Sequence, residues 1–268
     1  MNLSRIWLAA FLSGALATQA QAQTQAPFAW PQGKSAAIVL TYDDAMSSQL
    51  DVAVPQLAAA GFRGTFFLSG GMAPEDMRRW REVQRAGHEL GNHSLFHPCP
   101  KSILPGRPLY STETYDVDRM LLEIAIMNSV LYGIDGRETR TYSAPCSQML
   151  VGGIDYTDAL RRTGVIRYLR TGGDQFNSVV TDFAALDPFK VPSWGPIDSP
   201  GGPQLIAYVE RVRAAHGLGV LQFHGVGGQY LSVSADAHGK LLAHLLAHSD
   251  VWVAPFAEVM DHVVAHRR

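Results

Sequence analysis

Short apolar runs rich in β-branched residues alternate with longer amphipathic stretches along most of the chain, and this alternation restricts the fold more than any other feature. Strands that read as apolar throughout are covered on both faces, which is the mark of a parallel sheet built from repeated βα units. SAAIVLTY is the first such run, GTFFLSG the second, and Glu89 to Asn92 a third. RTYSAP, VIRYLR, FKVPSW, GVLQFH and VWVAPF continue the series. Between the early strands, a helix is expected from Ser47/Ser48 to Gly61, with Pro55 marking a late start or a kink. A second helix opens at Pro74 and stops at Gly87, and a long one covers Glu113 to Tyr132. Three more are expected over Pro203 to His216, Ser234 to His248 and Phe256 to His266. Seven or eight units of this kind make a single α/β barrel domain, and no Pro/Gly/Ser linker divides the sequence.

Barrels of this type gather their chemistry at the C-terminal ends of the strands. The residues found there are Asp43 and Asp44 after the first strand, His93 and His97 after the third, and Pro145-Cys146 after the fourth. Trp194 follows FKVPS, and His224 follows GVLQF. Adjacent carboxylates repel one another when buried and ionised, and a cation relieves that repulsion. Asp44, His93 and His97 form a two-histidine, one-carboxylate set with open positions, as catalytic zinc requires. Asp43 is then left over as a general base. Taken singly, an Asp-Asp pair at a strand end is more often a helix cap with a solvated neighbour. The four-residue histidine spacing recurs at His244/His248 and His262/His266, in C-terminal amphipathic helices without a strand end nearby. Those pairs read as solvated helical faces, and His88 as a satisfied core or rim histidine.

With 268 residues, 47% apolar and 17% charged, the chain can bury a sizeable core, and its formal net charge of -2 gives no electrostatic reason to expect nucleic acid or an anionic membrane as partner. The N-terminus reads as an address. Arg5, the apolar run IWLAAFLSGALA and Ala20-Gln21-Ala22 fit a signal peptide over residues 1–22, followed by an extension over 23–35 and the main domain over 36–268. Cleavage near Ala22 would release the protein into the periplasm or outside the cell, with no membrane anchor left. In an oxidising compartment Cys99 and Cys146 are expected to pair.

Together, LTYDDA, NHSLFH, YSAPC and LQFHG resemble the ordered motifs of the polysaccharide deacetylase superfamily, the NodB-homology or carbohydrate esterase family 4 group, over roughly residues 36–259. The resemblance implies a distorted (β/α)7 TIM-like barrel and one divalent cation, usually zinc, on Asp44, His93 and His97. It implies that Asp43 deprotonates a water and that His224 protonates the leaving group. The Cys146 N–H, following Pro145, would help hold the oxyanion, and Trp194 would wall the substrate site. The implied substrate is an acetylated oligo- or polysaccharide.

This chain departs from the family pattern at several places. Ala45 stands for the usual Gly, and Tyr42 for Phe. Ser143 replaces an Arg that orients the base, leaving Arg170 or Arg167 as candidates from a neighbouring strand. Asp198 is the candidate partner of His224, and Gln222 replaces a leucine, making the acetyl pocket more polar. Three readings stay open: an N-deacetylase, an O-acetyl esterase of the acetylxylan type, and a non-catalytic carbohydrate-binding member.

Overall fold

The computed structural model describes residues 28–267, so the expected signal peptide lies outside the described residues. In chain order the elements are β1 (Ala36–Asp43), α1 (Val54–Ala59), β2 (Thr65–Leu68), α2 (Pro74–Arg85), β3 (Glu89–Asn92), α3 (Val117–Asp135) and β4 (Arg140–Ser143). The short β5 (Leu150–Val151) and β6 (Ile154–Asp155), then α4 (Thr157–Thr163), β7 (Ile166–Arg170) and β8 (Val179–Val180), follow. The chain closes with α5 (Gly202–Ala214), β9 (Leu218–Phe223), α6 (Ala235–Ala247), β10 (Val251–Val253) and α7 (Phe256–His266).

One eight-stranded sheet runs β7-β4-β3-β2-β1-β9-β8, with β10 also paired to β1, and only β8 is antiparallel within it. β1 is central and buried at all eight positions. Its two faces pack differently. Ile38, Leu40 and Tyr42 meet the helices, whereas Ala37 and Val39 join Phe67, Leu218 and Val220. The period of two therefore puts Thr41 and Asp43 on the same face as Val39. On β9 the same alternation aligns Gln222 and His224 with Val220. Each fully buried large apolar side chain in these layers contributes about 1.5–3 kcal/mol relative to exposure.

FKVPSW is not a strand, contrary to the sequence reading. Pro192 has no N–H to give a ladder, so the segment crosses with isolated bonds only. Val191 N–H donates to Leu169 O at 3.1 Å and Thr171 N–H to Val191 O at 2.8 Å on one side. On the other, Trp194 N–H donates to Val220 O and Gln222 N–H to Trp194 O, each at 2.9 Å. The segment thereby links β7 to β9 and curls the sheet into a distorted barrel.

Pro55 acts as expected: it sits at the start of α1, and the residues before it, Gln49–Ala53, form a π-helical turn. The long helix begins later than expected, at Val117, because the Asp116 side chain caps it through Arg119 N–H. Gly91 on β3 has no room for a side chain, since an added Cβ would lie 2.4 Å from the Phe67 ring. Trp30, from the N-terminal extension, is buried in the Phe67 cluster and donates its indole N–H to His216 O at 3.3 Å. No helix among the described residues is long and apolar enough to cross a membrane.

Candidate functional site

A cleft of about 950 Å³ opens where β1, β3 and β9 end, and Asp43, Asp44, His93, His97 and His224 all line it. Asp43 is the last residue of β1 and fully buried. The chain then turns sharply, with Asp44 at φ 78° and Ala45 at φ 55°, in the left-handed region. Non-glycine residues held there cost on the order of 1–3 kcal/mol each and collect at functional sites. The turn moves Asp44 away from its strand and aims it across the barrel mouth, where its Oδ1 lies 3.3 Å from His93 Nε2 and 3.2 Å from His97 Nε2.

The two histidines do not share a helical turn, as their spacing first suggests. His93 follows β3 directly, and residues 93–97 form a loop with Ser94 at φ 62° and His97 at φ 53°. Three side chains shape that loop: Asn92 accepts from Ser94 N–H at 2.7 Å, Ser94 from His97 N–H at 3.0 Å, and Glu123 from Phe96 N–H at 2.8 Å. His93 Nδ1 faces the Ser143 carbonyl at 2.8 Å, so that nitrogen carries the hydrogen and Nε2 presents a bare lone pair. Nε2 lies 3.1 Å from His97 Nε2 and faces the Asp44 carboxylate. Three electron-rich atoms pointing at one another are a poor arrangement without a positive charge between them. A divalent cation fits this donor set. Burial acts to raise the Asp44 pKa, whereas hydrogen bonds and charge from His93 and His97, when those rings are protonated, hold the carboxyl well below its usual range.

Behind this donor cluster stands an arginine from another strand. Arg170, at the end of β7, is 1% exposed and donates to Asp43 Oδ2 at 2.5 Å and to Ser193 Oγ at 2.8 Å. It also donates to Ser143 Oγ, so the small side chain on β4 leaves the space that the guanidinium fills. Arg167 is elsewhere, paired with Asp261 at 2.8 Å on the surface. Asp43 Oδ1 is buried with no hydrogen-bond partner among the described residues. One carboxylate oxygen is anchored and the other is free.

His224 Nε2 lies 3.8 Å from Asp44 Oδ2, and burial lowers the pKa of the ring. The expected pairing with Asp198 is not made: Asp198 is exposed, and His224 Nδ1 is buried without a partner among the described residues. Trp194 does not wall the cleft either. It packs in the core at 5.1 Å from the Tyr208 ring, because its isolated backbone bonds to β9 turn the indole outward toward α5. Ile197, Tyr230 and Leu231 take that place. Cys146 lines the cleft at φ 51°, just after buried Pro145, and forms a disulfide with Cys99 as expected. Gln222 lines the cleft with its amide 3.2 Å from Ser193 Oγ, so the polar pocket wall is present.

Two residues escaped the sequence reading. The Tyr230 hydroxyl donates to Asp44 Oδ2, and Gln49 Nε2 donates to both Asp43 O at 2.5 Å and His224 O at 3.0 Å. Neither stands at a strand end, and only the π-helical turn hints at Gln49. Histidines elsewhere make their own contacts, and Glu210, His244 and His248 form a further cluster of potential cation donors. His88 Nδ1 accepts from Gly64 N–H at 3.0 Å. His244 Nε2 meets Glu210 at 2.6 Å, a carboxylate already held by Arg213, and His262 meets Ala29 O at 2.7 Å.

The comparisons agree with this construction. Residues 31–163 match the family profile described as polysaccharide deacetylase. A provisionally named polysaccharide deacetylase from Mycobacterium smegmatis superposes with a TM-score of 0.64 at 23% identity, covering 90% of this chain and 94% of that one. The peptidoglycan deacetylase PdaC from Bacillus subtilis gives 0.57 at 16% identity, covering 86% and 92%. A CE4 family pseudoenzyme from Bacillus anthracis gives 0.55 at 18% identity, covering 87% and 67%. At such identities the likeness shows the fold alone. No curated protein matches the sequence. A curled parallel α/β sheet with this rim defines a distorted (β/α)7 barrel. The chain belongs to the polysaccharide deacetylase superfamily.

Proposed function

We propose that the protein is an exported, cation-dependent carbohydrate deacetylase that favours ester-linked acetyl groups. The observation that carries the reading is the convergence of Asp44 Oδ1, His93 Nε2 and His97 Nε2 beside an anchored Asp43. A divalent cation on those three donors, zinc by their N/N/O chemistry, would supply Lewis acidity to a water and to the acyl oxygen.

The protein's own residues do the rest. Asp43 Oδ1, unpartnered and aimed by Arg170 through the other oxygen, takes a proton as water adds to the acyl carbon. The Cys146 N–H is the candidate donor to the oxygen that gains charge. The bond from the acyl carbon to sugar oxygen or nitrogen then breaks, and His224 delivers a proton to the departing atom. Acetate and a free hydroxyl or amine result. A placed base or acid of this kind is worth about 10²- to 10⁴-fold.

The ester preference follows from His224. Without a partner on Nδ1 among the described residues, no hydrogen bond there fixes its tautomer, and burial disfavours a positive ring more than the Asp43 and Asp44 charges favour it. An amide nitrogen must be protonated to depart, whereas an ester oxygen needs less help. Export is supported by the N-terminal pattern and by the Cys99–Cys146 disulfide, which suits the periplasm or the cell exterior.

The test is acetate release from chitin oligomers, peptidoglycan and acetylated xylan, with and without chelator. The expected result is fastest release from the xylan, lost on chelation and restored by zinc. Release that ignores the chelator, or none from any of the three, would sink the reading.

A further inference from the structure

His97 has two faces. Its Nε2 belongs to the cluster with Asp44 and His93, at 3.2 and 3.1 Å. Its Nδ1 points the other way, 3.5 Å from the Sγ of Cys99. The ligand atoms of His97, Cys99 and Cys146 all lie within 4.8 Å of one another, as do those of Asp44, His93 and His97. One imidazole is therefore shared between two potential donor sets. One set is carboxylate and imidazole; the other is sulfur and imidazole, and it is closed by the disulfide.

We propose that reduction of Cys99–Cys146 opens a second cation site, built from the two thiolates and His97 Nδ1, which competes with the Asp44–His93–His97 set. The inference rests on the proposed function for the identity of that first set. Two thiolates and one histidine with an open fourth position are an established zinc ligand combination. At a Zn–S distance of about 2.3 Å, tetrahedral geometry places the sulfurs about 3.8 Å apart. The cysteine Cα atoms are 5.7 Å apart, so side-chain rotation alone reaches that spacing. Thiolate is also the softer ligand and favours zinc over hard cations.

The reductant is a dithiol. Its thiolate attacks one sulfur of the pair, forming a mixed disulfide and releasing the other cysteine as thiolate. Its second thiol then displaces the remaining cysteine, so two electrons enter the pair and the reductant leaves as its own disulfide. Cation binding keeps both cysteines deprotonated and sends their protons to solvent. A neutral His97 has one lone pair to give. Its commitment to the sulfur side withdraws a ligand from the hydrolytic side.

Cobalt(II) reports this directly, because thiolate ligation gives a charge-transfer absorption that nitrogen and oxygen donors do not. The metal-free full-length protein is reduced, freed of reductant under argon, and given one equivalent of cobalt. The expected result is a thiolate-to-cobalt band in the reduced protein that is absent from the oxidised protein and from C99S/C146S. Alkylating the reduced wild type with iodoacetamide should abolish the band without any change of sequence, which guards against a misfolded variant. No band in the reduced wild type, or one that survives in C99S/C146S, would overturn the proposal. Absorbance needs no substrate, so failure of the deacetylase reading would show separately, as absent acetate release from protein that still gives the band.

Discussion

Removal of the Arg170 guanidinium tests the centre of the site most directly. Arg170 and Asp43 are both buried and lie 2.5 Å apart, and Arg170 also donates to Ser193 and Ser143. Deleting one partner of a buried pair leaves the other charge without compensation, at a cost of about 3–5 kcal/mol. Arg170→Gln should therefore lower the denaturation midpoint in urea clearly. It should also reduce turnover by about 10²-fold, the scale on which small misplacements of a catalytic group act. Arg170→Lys keeps the charge but loses the planar fork, so it should recover stability more than turnover. The reciprocal exchange S143R/R170S returns an arginine to the base from β4 instead of β7. It should regain a measurable part of the lost activity, because the two side chains converge on the same carboxylate oxygen. Urea titration and acetate release measured on the same preparations separate folding from function. If R170Q kept both its midpoint and its turnover, the guanidinium would not be positioning Asp43, and the relocated-arginine argument would fall.

Other outcomes follow from the same coordinates. Asp43→Asn should abolish acetate release while one cation per chain remains, read by elemental analysis; unaltered release would refute Asp43 as the base. His88 and His238 are buried and neutral, with pKa values pushed down by burial to about 4 from the usual 6.5. The unfolded chain takes up protons that the fold refuses, so stability should fall as pH drops from about 6.5 to 4, at up to ~1.4 kcal/mol per pH unit for each. His238→Gln should flatten that slope in urea titrations across the window, and an unchanged slope would remove His238 from the account.

Much of the scaffold is readable because a parallel barrel repeats one local rule. β3 and α7 fall on their expected boundaries, and β1 is displaced by a single residue. Asp44, His93 and His97 were also legible, since strand order and strand ends are enough to bring them together. The role of Tyr42 needed the structure: its hydroxyl donates to His238 Nε2 at 2.7 Å, while Gln56 holds the other ring nitrogen at 2.6 Å. What stayed hidden depends on contacts across the barrel. Sequence narrowed the base-orienting arginine to Arg170 or Arg167, three residues apart and so on opposite faces of β7. The pairing of Ser143 with Arg170 across β4 and β7 puts Arg170 beside Asp43, while Arg167 faces outward to Asp261. Trp194 misled for the opposite reason, because a prolyl crossing fixes the facing of its neighbours by isolated bonds rather than by ladder alternation. The antiparallel β8 and the β5–β6 hairpin are two residues per strand, too short to leave a periodic signal.

The first strand meets its long partner only after the intervening strands and helices have been made. β1 pairs with β9 from Ala37 to Tyr42, and Thr41 donates its hydroxyl to Leu221 O at 2.8 Å, a separation of 180 residues. As the ribosome works, one edge of β1 waits uncovered until β9 emerges. A product terminated before β9 thus carries Asp43 and Asp44 without the wall that brings His224, and the cleft cannot close around them.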